Sequence, residues 1–485
     1  MIVINKVWLL PPLAFGRVGS AGRPCQAYSW SAPPVSPDIS SKTTLVPEET
    51  IDLDADGNAT VTPADAFGAI ALKDDDDRFF PVCPFFELHG AWTDDGTEHE
   101  GPVTEAVLNG AGLGLGDVMW SVTVANLKPY HYTLRDGDRV EATAEAAATD
   151  TVRKSLAAGS PGPEAQRLVP SGAAVVLGAI QAVRPSAELP GLRLRVYAPA
   201  GVVYGPTDLA ARIATDPQWR DFQLPAERRV LNPQSGWATA IIGGLGAPGP
   251  VPRDQRVSPQ GLAATLRGGR SVGLVDDVSD GLVRCTVAGL PTAFARVAVG
   301  PPDFAPAARP FVSLQDGLAD RMRRTDVADA ALSMDELEAV VGDILERALE
   351  TSDMMNKDAQ AGRSRATNGT PGLPPPSADA EAPPIGTMWP AAAADGNLAT
   401  RVDSMPVTFA GNRKHRRLNA LQYLKDRLRD DPSFVERWLR PPRDQFGVFD
   451  RRMPALMRGS DGQPMHLSRR QYELVRLWSR KVTGV

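Results

Sequence analysis

Gly269-Arg270-Ser271-Val272-Gly273 makes the most pointed chemical suggestion in this sequence, because it has the G-x-S-x-G spacing of a hydrolase nucleophile elbow. Such an elbow needs a strand before the serine and a helix after it, so that a strained turn projects the hydroxyl. Here Leu274-Val275-Asp276-Asp277 follows, which reads as strand and then turn. A glycine-rich approach to a strand is therefore expected, not a nucleophile. Gly112-Leu113-Gly114-Leu115-Gly116 invites a dinucleotide reading, but its spacing is G-x-G-x-G and a strand follows. Without a helix N-terminus there is no dipole to hold a pyrophosphate. Asp52-Leu53-Asp54-Ala55-Asp56-Gly57-Asn58 opens like a calcium loop, yet its twelfth position is Pro63 where the bidentate Glu should stand. A polar turn is the expectation.

The histidines, His89, His99, His131, His415 and His466, are scattered and make no metal-binding pattern. Arg413-Lys414-His415-Arg416-Arg417 is a basic cluster without interleaved aromatics. That composition suits docking between subunits better than nucleic acid. Cys25, Cys83 and Cys285 lie far apart, in no C-x-x-C or Cys/His arrangement, and read as free thiols of a cytoplasmic protein. No catalytic, cofactor-binding or metal-ligating residue is assigned on these grounds.

Whatever such residues do, the elements that hold them are legible from pattern. The chain has 485 residues, enough for two or more structural units. It has 44 Gly and 44 Pro, an excess that predicts many turns and short strands. No apolar run is long enough to span a bilayer, and residues 1–15 lack the apolar core of a secretory signal. Charge is uneven: residues 401–485 carry 19 Lys+Arg against 9 Asp+Glu, a net of +10, which leaves −16 for residues 1–400 of the whole-chain −6. An acidic body with a basic tail predicts self-association or an acidic partner.

Residues 2–19 read as an apolar strand running into a glycine turn. Met119 to Asn126 alternates with period two and is rich in β-formers, so it predicts a strand. Similar candidates are 173–183, 191–198, 238–243, 271–275, 282–288 and 294–299, separated by Gly/Pro turns as in a β-sandwich. Phe79 to Leu88 is aromatic but broken by Pro81 and Pro84, which predicts an edge strand or a buried extended segment. Ser333-Met334-Asp335-Glu336 is a capping box, and Leu337, Val340, Val341, Ile344, Leu345 and Ala348 then recur on one helical face. Helices are also predicted over 413–429, 432–440 and 468–482, the last opened by Ser468-Arg469-Arg470-Gln471. The predicted class is α+β: a β-rich, sandwich-like N-terminal body with a helical C-terminal part. The expected divisions are a scaffold over 1–315, a helical segment over 316–352, a Pro/Ala/Gly-rich linker or arm over 353–412, and a basic helical segment over 413–485.

Five stretches, in order, resemble landmarks of the lysine ε-oxidase/glycine oxidase quinoprotein family. Pro12-Leu13-Ala14-Phe15-Gly16-Arg17-Val18-Gly19 resembles that family's opening turn. Trp120-Ser121-Val122-Thr123-Val124-Ala125-Asn126-Leu127-Lys128 is similar to its Trp-Thr-Val-His-Leu-Ala-Asn-Lys-Lys strand. Asp276-Asp277-Val278-Ser279-Asp280-Gly281 resembles its Asp-Asp-Thr-Ser-Asp-Gly-Pro turn. Gly300-Pro301-Pro302-Asp303-Phe304-Ala305-Pro306, with Val312 to Asp316 after it, resembles its Pro-Pro-Asp-Tyr-Ala-Pro segment and the following helix entry. Met453-Pro454, then Leu467 to Tyr472 and Leu477-Trp478, is similar to its Met-Pro to Thr-Gln-Tyr to Trp passage.

The resemblance implies oxidative deamination of an amine or amino acid. Members crosslink a Cys sulfur to an oxidised Trp of the same chain to form cysteine tryptophylquinone, which takes the amine as a Schiff base. In the family those residues lie beyond the Thr-Gln-Tyr to Trp passage, whereas this sequence ends at Val485, seven residues past Trp478, and none of its cysteines matches. The expectation is thus no quinone in this chain, with cysteine tryptophylquinone only on a partner or a missing segment. The partner would be a second chain carrying the quinone half, or another copy in a homo-oligomer, with no membrane and no nucleic acid involved. A pseudo-enzyme or binding protein on the same scaffold, or a truncated oxidase, is the alternative.

Overall fold

A computed structural model describes residues 2–30, 45–66, 70–72, 74, 78–216, 224–241, 271–301, 312, 314–322, 332–354, 413–439, 441–442, 457–458, 463–464, 466–484. The chain divides into two units, Met1–Ala27 with Glu48–Ala305, and Tyr28–Pro47 with Pro306–Val485.

Unit one is an α+β body whose core lies between two sheets. The larger sheet runs β1 (Ile2–Leu10), β7 (Phe85–Asp94), β13 (Arg193–Tyr197), β12 (Val175–Ala182), β11 (Lys154–Ala158), and β8 (Thr97–Pro102) also pairs with β7. The second runs β10 (Val140–Ala147), β9 (Val118–Asn126), β17 (Ser279–Val287), β18 (Ala293–Gly300), β2 (Leu13–Arg17). Period-two sequences build both: in β9, Val118, Trp120, Val122 and Val124 are buried while Met119 is exposed. Phe86, Leu88, Ile180 and Leu194 from the first sheet share one core with Trp120, Val122, Val283 and Val297 from the second. The sheets are joined at two margins. Pro11-Pro12 carries the chain from β1 into β2, and Glu141 bridges to Gly159 between β10 and β11.

Smaller pieces complete this unit. β5 (Thr50–Leu53) and β6 (Ala59–Thr62) form a hairpin, and β14 (Val203–Pro206) lies between β15 (Arg229–Leu231) and β16 (Val275–Asp276). Short helices α1 (Glu105–Gly110), α2 (Lys128–Thr133), α3 (Leu209–Thr215) and α4 (Gly236–Thr239) fill the connections.

Two strand expectations are corrected. Residues 238–240 do not open a strand: Ser235 Oγ accepts the Ala238 amide at 3.2 Å and starts the turn of α4 instead, while residues 242–243 of that expectation lie outside the described residues. Of 271–275 only Val275 enters a strand. The Phe79–Leu88 stretch takes its buried alternative. Its prolines precede β7, which begins at Phe85 and is paired on both sides, by β1 and by β13 and β8.

Unit two is helical: α5 (Leu314–Arg321), α6 (Met334–Met354), α7 (Arg413–Asp430), α8 (Phe434–Trp438) and α9 (Arg469–Thr483). The antiparallel pairs β3 (Tyr28–Trp30) with β4 (Leu45–Pro47) and β19 (Met457–Arg458) with β20 (Gln463–Pro464) belong to the same unit. The six residues read as one face of α6 are all buried, packed with Leu424 and Leu428 of α7, Trp438 of α8 and Trp478 of α9. Both capping boxes form. Ser333 Oγ accepts the Glu336 amide at 3.3 Å, and Ser468 Oγ accepts the Gln471 amide at 3.1 Å. Asp320 of α5 adds a second cap to α9, accepting the Arg469 and Arg470 amides at 2.7 and 2.9 Å.

Candidate functional site

Segments far apart in sequence end at one margin of the five-stranded sheet. β9 finishes at Asn126 where β17 begins, since the two run antiparallel with Asp280 opposite Ala125. β18 finishes there too, with Val299 opposite Ser279, and β2 runs parallel to it with Arg17 opposite Gly300. The Val18 amide then donates to the Gly300 carbonyl at 3.0 Å. The stretches 12–19, 120–128 and 276–281 and the start of 300–306 therefore converge.

Strand alternation turns Asn126 inward, the one polar member of an apolar row, and it is 2% exposed. Its Nδ2 donates to the Asp276 carbonyl at 2.9 Å and to Asp276 Oδ1 at 2.7 Å, while its Oδ1 accepts the Lys128 amide at 3.1 Å. Lys128 Nζ closes the group on Asp276 Oδ2 at 2.9 Å. Burial pushes the Asp276 carboxyl up from its ordinary value, and Lys128 and Asn126 pull it back. Asp277, the next residue, faces the other way. Its Oδ2 accepts the amides of Gly201 and Val202, each at 2.9 Å. At 1% exposure, desolvation raises its carboxyl to about 7 against those two bonds, and the neighbouring Asp276 charge pushes the same way. Gly201 has φ +80° and lies against Val18, where a Cβ would come within 2.9 Å of Val18 Cγ2, so only glycine suits this approach. The Gly19 amide donates to the Pro199 carbonyl at 3.0 Å. Chemically this is a carboxyl pair that ties four segments together, with Asp277 buried, Asp276 13% exposed and Lys128 36% exposed.

The sequence did not single out these carboxylates for chemistry; Asp276 and Asp277 entered only as part of a resemblance. Two consecutive aspartates between apolar strands were the available signal. The residues that did attract chemical readings take structural places. Ser271 is fully buried, its Oγ accepts the Gly273 amide at 2.9 Å, and no helix follows it. Residues 269–270 of that motif lie outside the described residues. Asp54 closes the β5–β6 turn by accepting the Asp56 and Asn58 amides at 2.9 and 2.8 Å. Gly112 to Gly116 is a turn leading into β9, with Gly114 donating to Asp117 Oδ2 at 2.9 Å. His89 pairs with Glu87 at 3.3 Å, His99 stacks on Trp92 at 5.9 Å, and His131 tilts against Tyr130. His466 Nδ1 lies 3.0 Å from the Leu467 carbonyl. The Arg413–Arg417 backbone is helical, while its side chains, His415 included, fall outside the described residues. So does the 355–412 segment.

All three cysteines are buried, and burial raises each thiol. Cys285 stands directly opposite Trp120 across the β17–β9 pair, both on the core face and both 0% exposed. Side chains so opposed touch. A sulfur and an indole side by side are the raw materials of a tryptophylquinone. This pair does not suit that group. An amine has no route to a fully buried ring, and a thiol held protonated by an apolar surround is a poor nucleophile. Cys285 and Trp120 are core packing.

What fold and site define is a two-unit α+β protein with a largely buried carboxylate junction at one sheet margin. No family model and no curated protein matches the sequence. Among solved structures it is similar to the Schiff base intermediate of L-Lys ε-oxidase from Marinomonas mediterranea with L-Lys, at 13% identity and a TM-score of 0.32, over 74% of this chain and 50% of that one. It is likewise similar to the ε-lysine oxidase structure from the same organism, at 13% identity and a TM-score of 0.31, over 74% of this chain and 49% of that one. The chain spans about half the length of these structures. The structural relationship is distant.

Proposed function

We propose that this chain is a non-catalytic scaffold subunit of a quinoprotein amine or amino-acid oxidase, working with a second chain that carries the cysteine tryptophylquinone. The observation that supports this reading is the convergence at the sheet margin. The 12–19, 120–128 and 276–281 stretches and Gly300, which resemble four of one family's five landmarks, are tied by Asn126 and Lys128 to Asp276 and by Val18 to Gly300. The failure of the Cys285 and Trp120 pair to suit that group is in keeping with the reading, since both side chains are fully buried.

Co-purification from the native host tests the proposal. The tagged chain is expected to bring down, in fixed stoichiometry, a second polypeptide that stains by quinone redox cycling. A monodisperse chain with no quinone-bearing companion would count against it.

A further inference from the structure

We propose that Asp277 is a pH-operated latch, holding the Pro199–Val202 connection against the margin of the five-stranded sheet and releasing it as the carboxyl ionises. That connection runs from β13 to β14 and is fastened at two points. One is the Gly19 amide bond to the Pro199 carbonyl. The other is Asp277, whose Oδ2 takes the Gly201 and Val202 amides across 76 and 75 residues of sequence. Both amides converge on one oxygen, and the other, Oδ1, is buried without a hydrogen-bond partner among the described residues. A neutral carboxyl tolerates that surround, whereas a carboxylate there is favoured by the amides of Gly201, Val202 and Asp277 itself but loses its hydration, which outweighs them.

The charged groups around it offer little compensation. Asp276 on the same turn is negative and opposes ionisation. Lys128 of α2 is engaged by Asp276, not by Asp277. Arg17 at the end of β2 directs its guanidinium to the Phe80 carbonyl at 3.2 Å. The 199–202 connection contributes amides alone. Ionisation is therefore relieved by letting water reach the carboxylate, and the piece that can move without breaking a sheet is the connection it holds. The site is closed in acid and loosens as the pH approaches neutrality, consistent with a carboxyl raised to about 7. This inference stands apart from the proposed subunit role.

Hydrogen exchange of the full chain, read on peptides covering residues 198–203 and referred to intrinsic exchange rates, tests it. Protection of Gly201 and Val202 is expected to fall at least about tenfold between pH 5 and pH 7 and to level off above that, following the linked proton release. Asp277→Asn keeps an acceptor oxygen but cannot ionise, so its protection should be flat with pH. Asp276→Asn, which removes the opposing charge, should bring the levelling-off to lower pH. Equal pH profiles in the wild-type chain and Asp277→Asn, or wild-type protection that rises with pH, would overturn the latch.

Discussion

Adding one methyl group at position 281 is expected to destabilise unit one by more than about 4 kcal/mol, an effect in the far tail of single substitutions. Gly281 of β17 pairs with Val124 of β9, and a Cβ there would lie 2.7 Å from the Val124 Cα and closer still to the Thr123 carbonyl oxygen. Those are backbone atoms of a central strand. No side chain can swing away, so the two strands would have to separate where four segments converge. Gly289 is the internal control. It has φ +77° in the turn before β18, and a Cβ there meets nothing within 4 Å. Gly289→Ala should cost only about 1 kcal/mol, from backbone strain alone. Urea unfolding of the two variants makes the comparison. Gly281→Ala within about 1 kcal/mol of wild type would show that β17 and β9 are not so close.

The second large effect is on stability as a function of pH. Asp277 is held at about 7 in the folded protein against an ordinary value of 3.8. The folded state thus keeps its proton where the unfolded chain has lost it. The contribution is fully present below about 3.8, declines as pH rises, and is gone above about 7. Its full size is about 4 kcal/mol, an upper bound because local opening of the 199–202 connection relieves part of it. Other carboxyls act in the opposite sense. Asp54, Asp150, Glu164 and Glu336 are held low by hydrogen bonds and favour the fold at higher pH. The measurable quantity is therefore the difference between wild type and Asp277→Asn. The variant should gain on the wild type by up to about 4 kcal/mol between pH 4 and pH 8. Parallel stability curves would mean that Asp277 is ionised and solvated in the fold.

Much of the framework is legible in the sequence because it rests on local periodicity. β9, β17 and β18 announce themselves by alternation, and α6 by a capping box followed by six apolar residues on one face, all of which are buried. Residues 238–240 mislead because the deciding residue, Ser235, lies before the predicted run and caps a helical turn. Pro81 and Pro84 suggest a sheet edge, but they end just before β7 and never interrupt its pairing. The site was the least legible part. Nothing local distinguishes Asp277 from a solvated turn aspartate. Its properties arise from amides more than 70 residues earlier in the chain and from burial that only the assembled sheet margin supplies. The same holds for Cys285 and Trp120, which face each other only through strand register.

A scaffold subunit of the proposed kind makes no redox group of its own. Intact mass of the purified full chain, with quinone redox-cycling stain of the same sample, tests that most directly. The expected result is the mass of the unmodified 485-residue sequence and no stain. A displaced mass with positive staining, mapped to a peptide joining Cys285 to Trp120, would contradict it.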